Sequence, residues 1–208
     1  MKGLLLKDWY QVRTSMKTMY LTVAFVLVIL VFSTSNAYVF PVSYAAVFLG
    51  IMPAYLLSYD HASGWTEYSF ALPLSKELQV AEKYLVGLFC AAAAVVIGGL
   101  FITVISLRTG TPPDKDALSL LAGSVCAILL INGIMLPLYY RFGAEKARML
   151  YMLMFAGMGA ALGGGTVLMD AVPEPGAAIA IVGVLAAVLV LYALSWRLSV
   201  AWYGKYKK

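Results

Sequence analysis

Long apolar runs follow one another along this chain, and each is long enough to cross a lipid bilayer as an α-helix. A bilayer core about 30 Å thick requires roughly 20 apolar residues per helix. The runs cover residues 18–36, 39–57, 84–107, 118–140, 149–169 and 176–198, and none has a charged residue at its centre. We therefore predict an all-α polytopic integral membrane protein with six transmembrane helices, forming a single transmembrane domain over residues 1–208.

The composition supports the same class of protein. Only 12% of the residues are charged and 62% are hydrophobic, whereas soluble globular domains have about 25% charged residues and about half apolar ones. The start of the chain does not resemble a cleavable signal peptide, because Lys7 and Asp8 follow only three consecutive leucines. Such a run is too short for the apolar region of a signal peptide.

Lysine and arginine concentrate in alternate connections between the predicted spans. Residues 1–17, 58–83, 141–148 and 197–208 carry thirteen of the fifteen, and the other connections carry two. By the positive-inside rule, the basic side of the membrane protein is the cytoplasmic one. The pattern predicts that both termini are cytoplasmic. The basic excess then sets the orientation and contacts anionic lipid, and nucleic-acid binding is not needed to explain it.

The sequence shows no candidate catalytic, metal or nucleotide site. An ionisable side chain inside a transmembrane helix would suggest an ion site or a catalytic group, and none occurs in the core of a predicted span. A Gly-x-x-x-x-Gly-Lys-Ser/Thr loop, a Gly-x-Ser-x-Gly elbow and a His/Glu zinc motif are also absent. We predict that the chain is not an enzyme and holds no cofactor or metal. Any ATP-driven step would then depend on another chain.

The segment before the first predicted span, residues 1–17, is amphipathic. Leu5, Trp9 and Val12 recur at helical spacing, and Arg13 lies on another face among the polar residues. Such a helix can lie in the membrane interface, with the indole ring at headgroup level and basic side chains near anionic lipid. We predict an interfacial elbow helix that uses these four residues, either as an anchor or as a lead into the bundle.

The connection after the second predicted span, residues 58–83, is the longest polar stretch. Asp60 or Ser63 is predicted to cap a short helix, and Pro73 to end it. Ser75 is predicted to cap a second helix that continues into the third span.

Aromatic residues are frequent on the short helix of this connection. Trp65 and Tyr68 are predicted to share one face with Leu72, and Phe70 lies beside that face. An exposed helix with three aromatic residues is expected to be covered by something. The cover is either the bundle with the lipid headgroups or a partner protein.

Three stretches of the chain together resemble ABC-2-type transporter permeases. They are MKGLLLKDW at residues 1–9, the segment from Asp60 through Gly64 to LPLSK at residues 72–76, and AEKYL at residues 81–85. The likeness covers the whole chain in length and in number of spans. It includes the small bacterial branch to which the membrane subunits of phenol-soluble modulin exporters belong. Asp60 stands where a glutamate is usual in the family.

The resemblance implies a function, a location and partners. The chain would be the membrane-spanning permease subunit of a bacterial ABC exporter in the cytoplasmic membrane, driven by a separate ATPase. Two permeases, as a homodimer or a close heterodimer, would combine with two ATPase subunits, which would hold the ATP and magnesium. The uncharged spans suit an amphipathic or hydrophobic substrate such as a peptide, a toxin or a drug-like compound.

The resemblance also places a coupling helix, which docks on the ATPase, at residues 63–71. The ATPase-coupling residues implied by this position are Asp60, Ser63, Gly64, Trp65, Glu67, Tyr68, Phe70 and Pro73. Movement of the ATPases would then pass through this helix into the second and third spans.

Two other functions remain open on the residues alone. A membrane scaffold or accessory protein could bind a partner through the same connection and transport nothing. An ion-coupled secondary transporter or a small membrane enzyme is disfavoured, because the cores of the spans are uncharged.

Overall fold

The computed structural model describes residues 2–15, 39–110, 115–169 and 177–203, together with helical positions at 17, 21, 24, 25, 28 and 29. Most side chains between residues 144 and 182 lie outside the described part. All regular secondary structure in these ranges is α-helical. The helices are α1 (Lys2–Ser15), α2 (Val39–Ala62), α3 (Trp65–Ala71), α4 (Lys76–Thr109), α5 (Lys115–Met169) and α6 (Ala177–Tyr203).

Four helical segments of the described part are long and apolar enough to cross a membrane: Val39–Ala62, Lys76–Arg108, Ala117–Gly143 and Gly183–Tyr203. They confirm that the chain is a multi-pass membrane protein. They correspond to the second, third, fourth and sixth predicted spans. The first predicted span, residues 18–36, falls almost entirely outside the described residues. The backbone of the fifth, residues 149–169, is helical, but most of its side chains are not described, so the count of six stays a prediction.

The long helices pack along one another around a shared apolar core. α5 contacts both α2 and α6, and α4 contacts α2 and α5. The core contains buried aliphatic and aromatic side chains, among them Leu57, Val80, Ile128, Met135, Leu136 and Tyr192. The outward faces carry exposed large apolar residues such as Phe89, Val96 and Leu100. These faces suit a hydrocarbon solvent, because lipid tails are as apolar as the side chains themselves.

A single glycine interrupts α5. Gly143 has φ 78° and ψ 173°, while the residues before and after it are helical. A positive φ costs glycine little because it has no Cβ. The sequence predicted a connection over residues 141–148 at this point. In the structure these residues are helical, and only Gly143 departs from helical geometry.

The short helix α3 begins in a different way from the one predicted. Asp60 lies inside the last part of α2, which continues to Ala62, and no side chain caps α3. The chain turns instead at Gly64, whose φ of 71° is left-handed. The predicted capping by Asp60 or Ser63 is therefore wrong. The reason is that Asp60 has stronger partners elsewhere, and Ser63 Oγ donates a hydrogen bond back to the Asp60 carbonyl at 3.2 Å.

The end of α3 and the start of α4 follow the predictions more closely. α3 ends at Ala71, two residues before Pro73. Leu72 has an extended backbone, so the prediction that it shares a helical face with Trp65 and Tyr68 is wrong. Ser75 caps α4 as predicted, since its side chain accepts a hydrogen bond from the Leu78 amide at 3.3 Å.

Candidate functional site

The segments predicted to be cytoplasmic meet at one end of the bundle, here called the α1 end. It contains α1, the last turn of α2, α3, the first turns of α4 and the last turn of α6. Hydrogen bonds and ring contacts join these parts directly, for example Lys7 to Asp60 and Phe70 to Tyr203. Elements that are far apart in the sequence therefore form one continuous surface.

Four alternating charges form a closed ring at the centre of the α1 end. The ammonium nitrogen of Lys7 lies 2.8 Å from an Asp60 oxygen and 3.1 Å from an Asp8 oxygen. The ammonium nitrogen of Lys83 lies 2.8 Å from Asp8 and 2.7 Å from Asp60. We call Lys7, Asp8, Asp60 and Lys83 the charge ring. It joins α1, α2 and α4 through side chains alone.

Three of the four side chains of the charge ring are shielded from solvent, and the fourth, Lys7, is 21% exposed. The side chains of Lys83, Asp8 and Asp60 are 3%, 4% and 5% exposed. Charges in such a place are tolerated only if they are paired and hydrogen-bonded, because their lost hydration is costly. Each ammonium here contacts both carboxylates, so the ring meets that requirement and its net charge is zero.

The two lysines lower the pKa of Asp8 in spite of its burial. Burial by itself raises the pKa of a carboxyl group, because water no longer solvates the negative charge. The Lys83 ammonium, a contact with the Glu82 carboxyl and the Lys7 ammonium act in the opposite direction, and the pKa of Asp8 ends below its ordinary value. Asp8 is therefore ionised in the folded protein at neutral pH.

Glu82 adds a third carboxyl group beside the ring, and it lowers the pKa of Asp8 because it donates a hydrogen bond to Asp8 and so holds a proton. Its residue is 3% exposed, and its Oε1 atom has no hydrogen-bond partner among the described residues. The ammonium nitrogens of Lys7 and Lys83 are 3.9 and 3.8 Å from this atom, beyond hydrogen-bond distance. Both ammonium groups are closer to the aspartates, so the lysines pair with Asp8 and Asp60 rather than with Glu82.

The inner face of α3 is fixed to the rest of the α1 end. The Lys7 ammonium lies 4.6 Å from the centre of the Trp65 ring, within the range of a cation–π interaction. The Phe70 ring stacks on Tyr203 of α6 with centroids 5.4 Å apart. Ser69 is buried and its Oγ lies 3.1 Å from Gln79 Oε1 in α4. One short helix thus contacts α1, α4 and α6.

The outer face of α3 is free of such contacts in the described part. Glu67 is exposed, and the Tyr68 side chain is 58% exposed, although its ring lies against Trp65 with centroids 5.6 Å apart. Of the residues predicted for ATPase coupling, Ser63, Gly64, Glu67, Tyr68 and Pro73 are exposed, Trp65 and Phe70 are half-buried, and Asp60 is buried. The structure therefore divides the predicted set into an outer group and an inner group.

α1 turns a different face to the bundle from the one that the sequence suggested. Leu4 and Asp8 are buried, whereas Leu5 and Val12 are half-buried. Trp9 is 63% exposed, and Arg13 is also exposed. Asp8 is buried although it is charged, because it forms the ion pairs described above. The outward position of Trp9 suits contact with headgroups.

A small cavity opens beside the charge ring, on the side away from α1. Its volume is about 30 Å³, enough for one or two water molecules. Buried Asp60, Glu82 and Lys83 line it on one side, and half-exposed residues at the start of α3 line it on another. Tyrosines complete the wall: Tyr139, Tyr140 and Tyr203.

A second polar network lies deeper and joins α4 to α6. The Tyr84 hydroxyl is 2.6 Å from Ser195 Oγ and 2.8 Å from Ser199 Oγ. The Tyr192 hydroxyl donates to the Tyr84 carbonyl at 2.8 Å. Tyr84 follows Glu82 and Lys83 by one turn or less, so this network begins on α4 directly after the charge ring.

Sequence reasoning missed Lys7, Asp8, Glu82 and Lys83 as members of a site. They lie in the stretches at residues 1–9 and 81–85 on which the family resemblance depends. The resemblance of these two stretches was the only feature of the sequence that could have indicated these residues. No group of three or more histidine, cysteine or acidic side chains in the described part could hold a metal ion.

The chain was compared with known protein families, curated proteins and solved structures. A family model described as ABC-2 family transporter protein matches residues 3–204. No curated protein and no solved structure matches the chain. The match covers α1, α3 and all of the long helices, and so includes the whole α1 end.

Proposed function

The chain belongs to the ABC-2 family of transporter proteins and is a membrane permease of an ABC transporter, and we propose that α3 is the helix through which its ATPase drives it. The family implies an ABC ATPase subunit as partner. We propose further that the α1 end faces the cytoplasm, where the ATPase is, since thirteen of the fifteen lysines and arginines fall in the segments that meet there or flank them.

The two faces of α3 carry this proposal. The outer face offers Glu67 and Tyr68 to solvent, while the inner face contacts α1, α4 and α6 through Trp65, Ser69 and Phe70. A helix that docks a partner needs an accessible face, and one that transmits movement needs a rigid attachment. α3 has both.

The charge ring supports a defined route for the movement. A displacement of α3 would act on Lys7 through Trp65, and the ring would carry it to Asp60 of α2 and Lys83 of α4. These helices would then shift as rigid bodies, which is the usual response of packed helices to a local displacement. ATP can favour one arrangement of the transporter over the other only if the ATPases bind it with different affinities in the two arrangements.

We propose that the chain is half of the membrane part of an exporter. Two copies, or one copy and a close relative, would combine with two ATPase subunits that hold the ATP and magnesium. The described spans have apolar cores, which suits an amphipathic or hydrophobic substrate such as a peptide, a toxin or a drug-like compound. A compact hydrophilic ion would be costly to desolvate in such a bundle.

The proposal is tested by purifying the chain with the ABC ATPase encoded beside its gene and measuring ATPase activity in nanodiscs. We expect a stable complex, and we expect the Tyr68→Ala, Glu67→Gln double variant to lose most of the stimulation of the ATPase by the permease. Removing a central aromatic contact of an interface typically costs 2 kcal/mol or more.

Tyr10→Ala is the matched control, because Tyr10 and Tyr68 are both 58% exposed but lie on different helices. It should retain full stimulation. If the ATPase has the same activity alone as in complex with the wild-type permease, the result favours the scaffold function over the transporter.

A further inference from the structure

Gln79 is a buried amide on the first turn of α4, at a point where three helices meet. The residue is 9% exposed. Its Nε2 atom donates a hydrogen bond to the Ser69 carbonyl of α3 at 3.3 Å. Its Oε1 atom accepts one from the hydroxyl of Tyr203, the last residue of α6, at 2.5 Å. One side chain of α4 therefore holds the end of α3 and the end of α6 at the same time.

The chemistry of these contacts requires an amide. A backbone carbonyl can only accept a hydrogen bond, so the NH₂ group of Gln79 must face Ser69. The Ser69 hydroxyl has a single proton and donates it to the Thr66 carbonyl at 2.7 Å, which leaves the Tyr203 hydroxyl as the donor to the amide oxygen. A carboxylate cannot donate and an alkyl group can do neither, so only a side chain with both functions makes both bonds.

The contact with Ser69 bears on the attachment of the whole of α3. This helix has only seven residues, and a helix of that length is not stable without tertiary contacts. The carbonyls of its last turn have no partner within the helix. Gln79 supplies one from α4, in addition to the Leu72 amide at 3.3 Å. A displacement of α3 would therefore act on Gln79 directly.

Tyr203 is held through its ring as well as through its hydroxyl. The ring stacks on Phe70 of α3 with centroids 5.4 Å apart and meets Tyr140 of α5 edge-on at 5.2 Å. The hydroxyl reaches α4 through Gln79. Removing the hydroxyl alone would thus separate the hydrogen bond from the ring contacts, which a phenylalanine keeps.

The bond between Gln79 and Tyr203 is one of two successive links between α4 and α6. The other is the Tyr84 hydroxyl with Ser195 and Ser199, about one helical turn deeper on each helix. Of these two links, the described contacts connect only the one at Gln79 to α3. A movement of α3 would therefore enter the pair of α4 and α6 at Gln79.

We propose that Gln79 is a positioning residue for the ATP-driven step, which makes the end of α6 move together with α3. The inference rests on the proposed function and adds α6 to the helices that the charge ring reaches. Gln79 is buried beneath α3, so it acts through Ser69 and Tyr203 rather than by contact with the ATPase.

The test measures stimulation of the ATPase by wild type, Gln79→Met, Tyr203→Phe and the double variant, each as the full chain in nanodiscs. We expect each single change to lower stimulation about fivefold, the effect of one lost hydrogen bond. The double variant should be no more than about twofold worse than Gln79→Met, because the two groups share one interaction. The dissociation constant of the ATPase should stay within about twofold of wild type, because neither residue lies on the outer face of α3.

Tyr139→Phe is the matched control. Tyr139 and Tyr203 are both 6% exposed, but the Tyr139 hydroxyl is hydrogen-bonded to Ser58 of α2 at 3.0 Å. Both variants should lower the melting temperature of the permease alone by similar amounts, since each loses one buried hydrogen bond. Only Tyr203→Phe should lower the stimulation of the ATPase.

Three results would overturn the inference. Equal loss of stimulation in Tyr203→Phe and Tyr139→Phe would mean that any loosening of the bundle is sufficient. Losses that multiply in the double variant would mean that the amide and the hydroxyl act separately. A Tyr203→Phe chain with full stimulation would show that α6 does not depend on this bond. If wild type itself gives no stimulation, the proposed function fails as well, so the two failures are distinct.

Discussion

Lys83 shows how a charged side chain is kept inside this protein. It is 3% exposed, and its ammonium nitrogen lies 2.8 Å from Asp8 and 2.7 Å from Asp60. The two carboxylates come from α1 and α2, so the lysine of α4 joins both helices. Removing one partner from such a cluster leaves the others buried without compensation, and this costs more than the cluster contributes to stability when intact.

Lys83→Met should therefore destabilise the protein strongly. We expect a loss of about 3 kcal/mol or more in the free energy of unfolding, measured by thermal or denaturant unfolding in detergent. Lys76→Met, an exposed lysine at the start of the same helix, should change it by less than about 0.5 kcal/mol. Equal unfolding curves for the two variants would mean that the charge ring does not contribute to stability.

The lowered pKa of Asp8 predicts how the docking of α1 depends on pH. A carboxyl group whose pKa is lower in the folded state stabilises that state at any pH above its unfolded pKa, about 3.9 for aspartate. This contribution is lost only as the pH falls further, through the folded pKa. We expect hydrogen-exchange protection of α1 amides to be constant from pH 7 to pH 5.

Asp8→Asn removes the titrating group and provides the control. Its α1 amides should exchange faster than those of wild type at pH 7, while the two proteins should become alike at the most acidic pH that the fold tolerates. Loss of wild-type protection already between pH 7 and pH 5 would contradict this account of Asp8.

The sequence could not reveal the charge ring, and the reason is physical. Amphipathic spacing shows that a helix such as α1 has two faces, but not which polar side chain turns toward the bundle. Asp8 and Lys83 are separated by 75 residues in the chain, so their pairing depends on how three helices pack. The stretches at residues 1–9 and 81–85 carried the family resemblance, and they contain three residues of the charge ring, Lys7, Asp8 and Lys83.

α3 shows which structural features can be predicted from local sequence and which depend on tertiary contacts. The end of α3 and the cap of α4 were predictable, because Pro73 and Ser75 act through their own backbone and nearest neighbours. The start of α3 was not, because α2 continues to Ala62 while Asp60 is held by Lys7 and Lys83. The helix can begin only after Gly64 has turned the chain.

Gly64→Ala should weaken the attachment of α3 without any steric clash. A Cβ at this position meets nothing within 4 Å, so the effect comes only from the left-handed φ of 71°. We expect a loss of about 1 kcal/mol in stability and a lower stimulation of the ATPase, measured by unfolding and by activity of the reconstituted complex.

Gly99→Ala is the matched control within α4. Its Cβ also meets nothing within 4 Å, but its backbone is helical, so alanine should be neutral or stabilising by up to about 1 kcal/mol. If Gly64→Ala, like Gly99→Ala, leaves stability unchanged or raises it, then a side chain does not strain the turn at Gly64.

The described helices distinguish the two ends of the bundle. α1 lies at the end of the bundle where α2 finishes, whereas Val42 near the start of α2 packs with Ile102 and Ala117 at the opposite end. The 24 residues of α2 extend about 36 Å at 1.5 Å per residue. Ser15 and Val39 therefore lie toward opposite ends of the bundle.

Cysteine labelling would test the orientation of the whole molecule. In a Cys90→Ala, Cys126→Ala background, Ser63→Cys at the α1 end and Asp114→Cys in the predicted external connection each provide one target. We expect a membrane-impermeant maleimide to label Asp114→Cys in intact cells and Ser63→Cys only after permeabilisation. The reverse pattern would place the α1 end outside and remove the ATPase from its reach.

The charge ring also bears on how the protein is made. Lys7 and Asp8 leave the ribosome early, Asp60 follows after the second predicted span, and Lys83 is synthesised only when the third is about to begin. Until Lys83 arrives, the two aspartates have Lys7 as their only lysine partner within the ring. The ion pair between Asp8 and Lys83 therefore forms only after the start of the third predicted span has been synthesised.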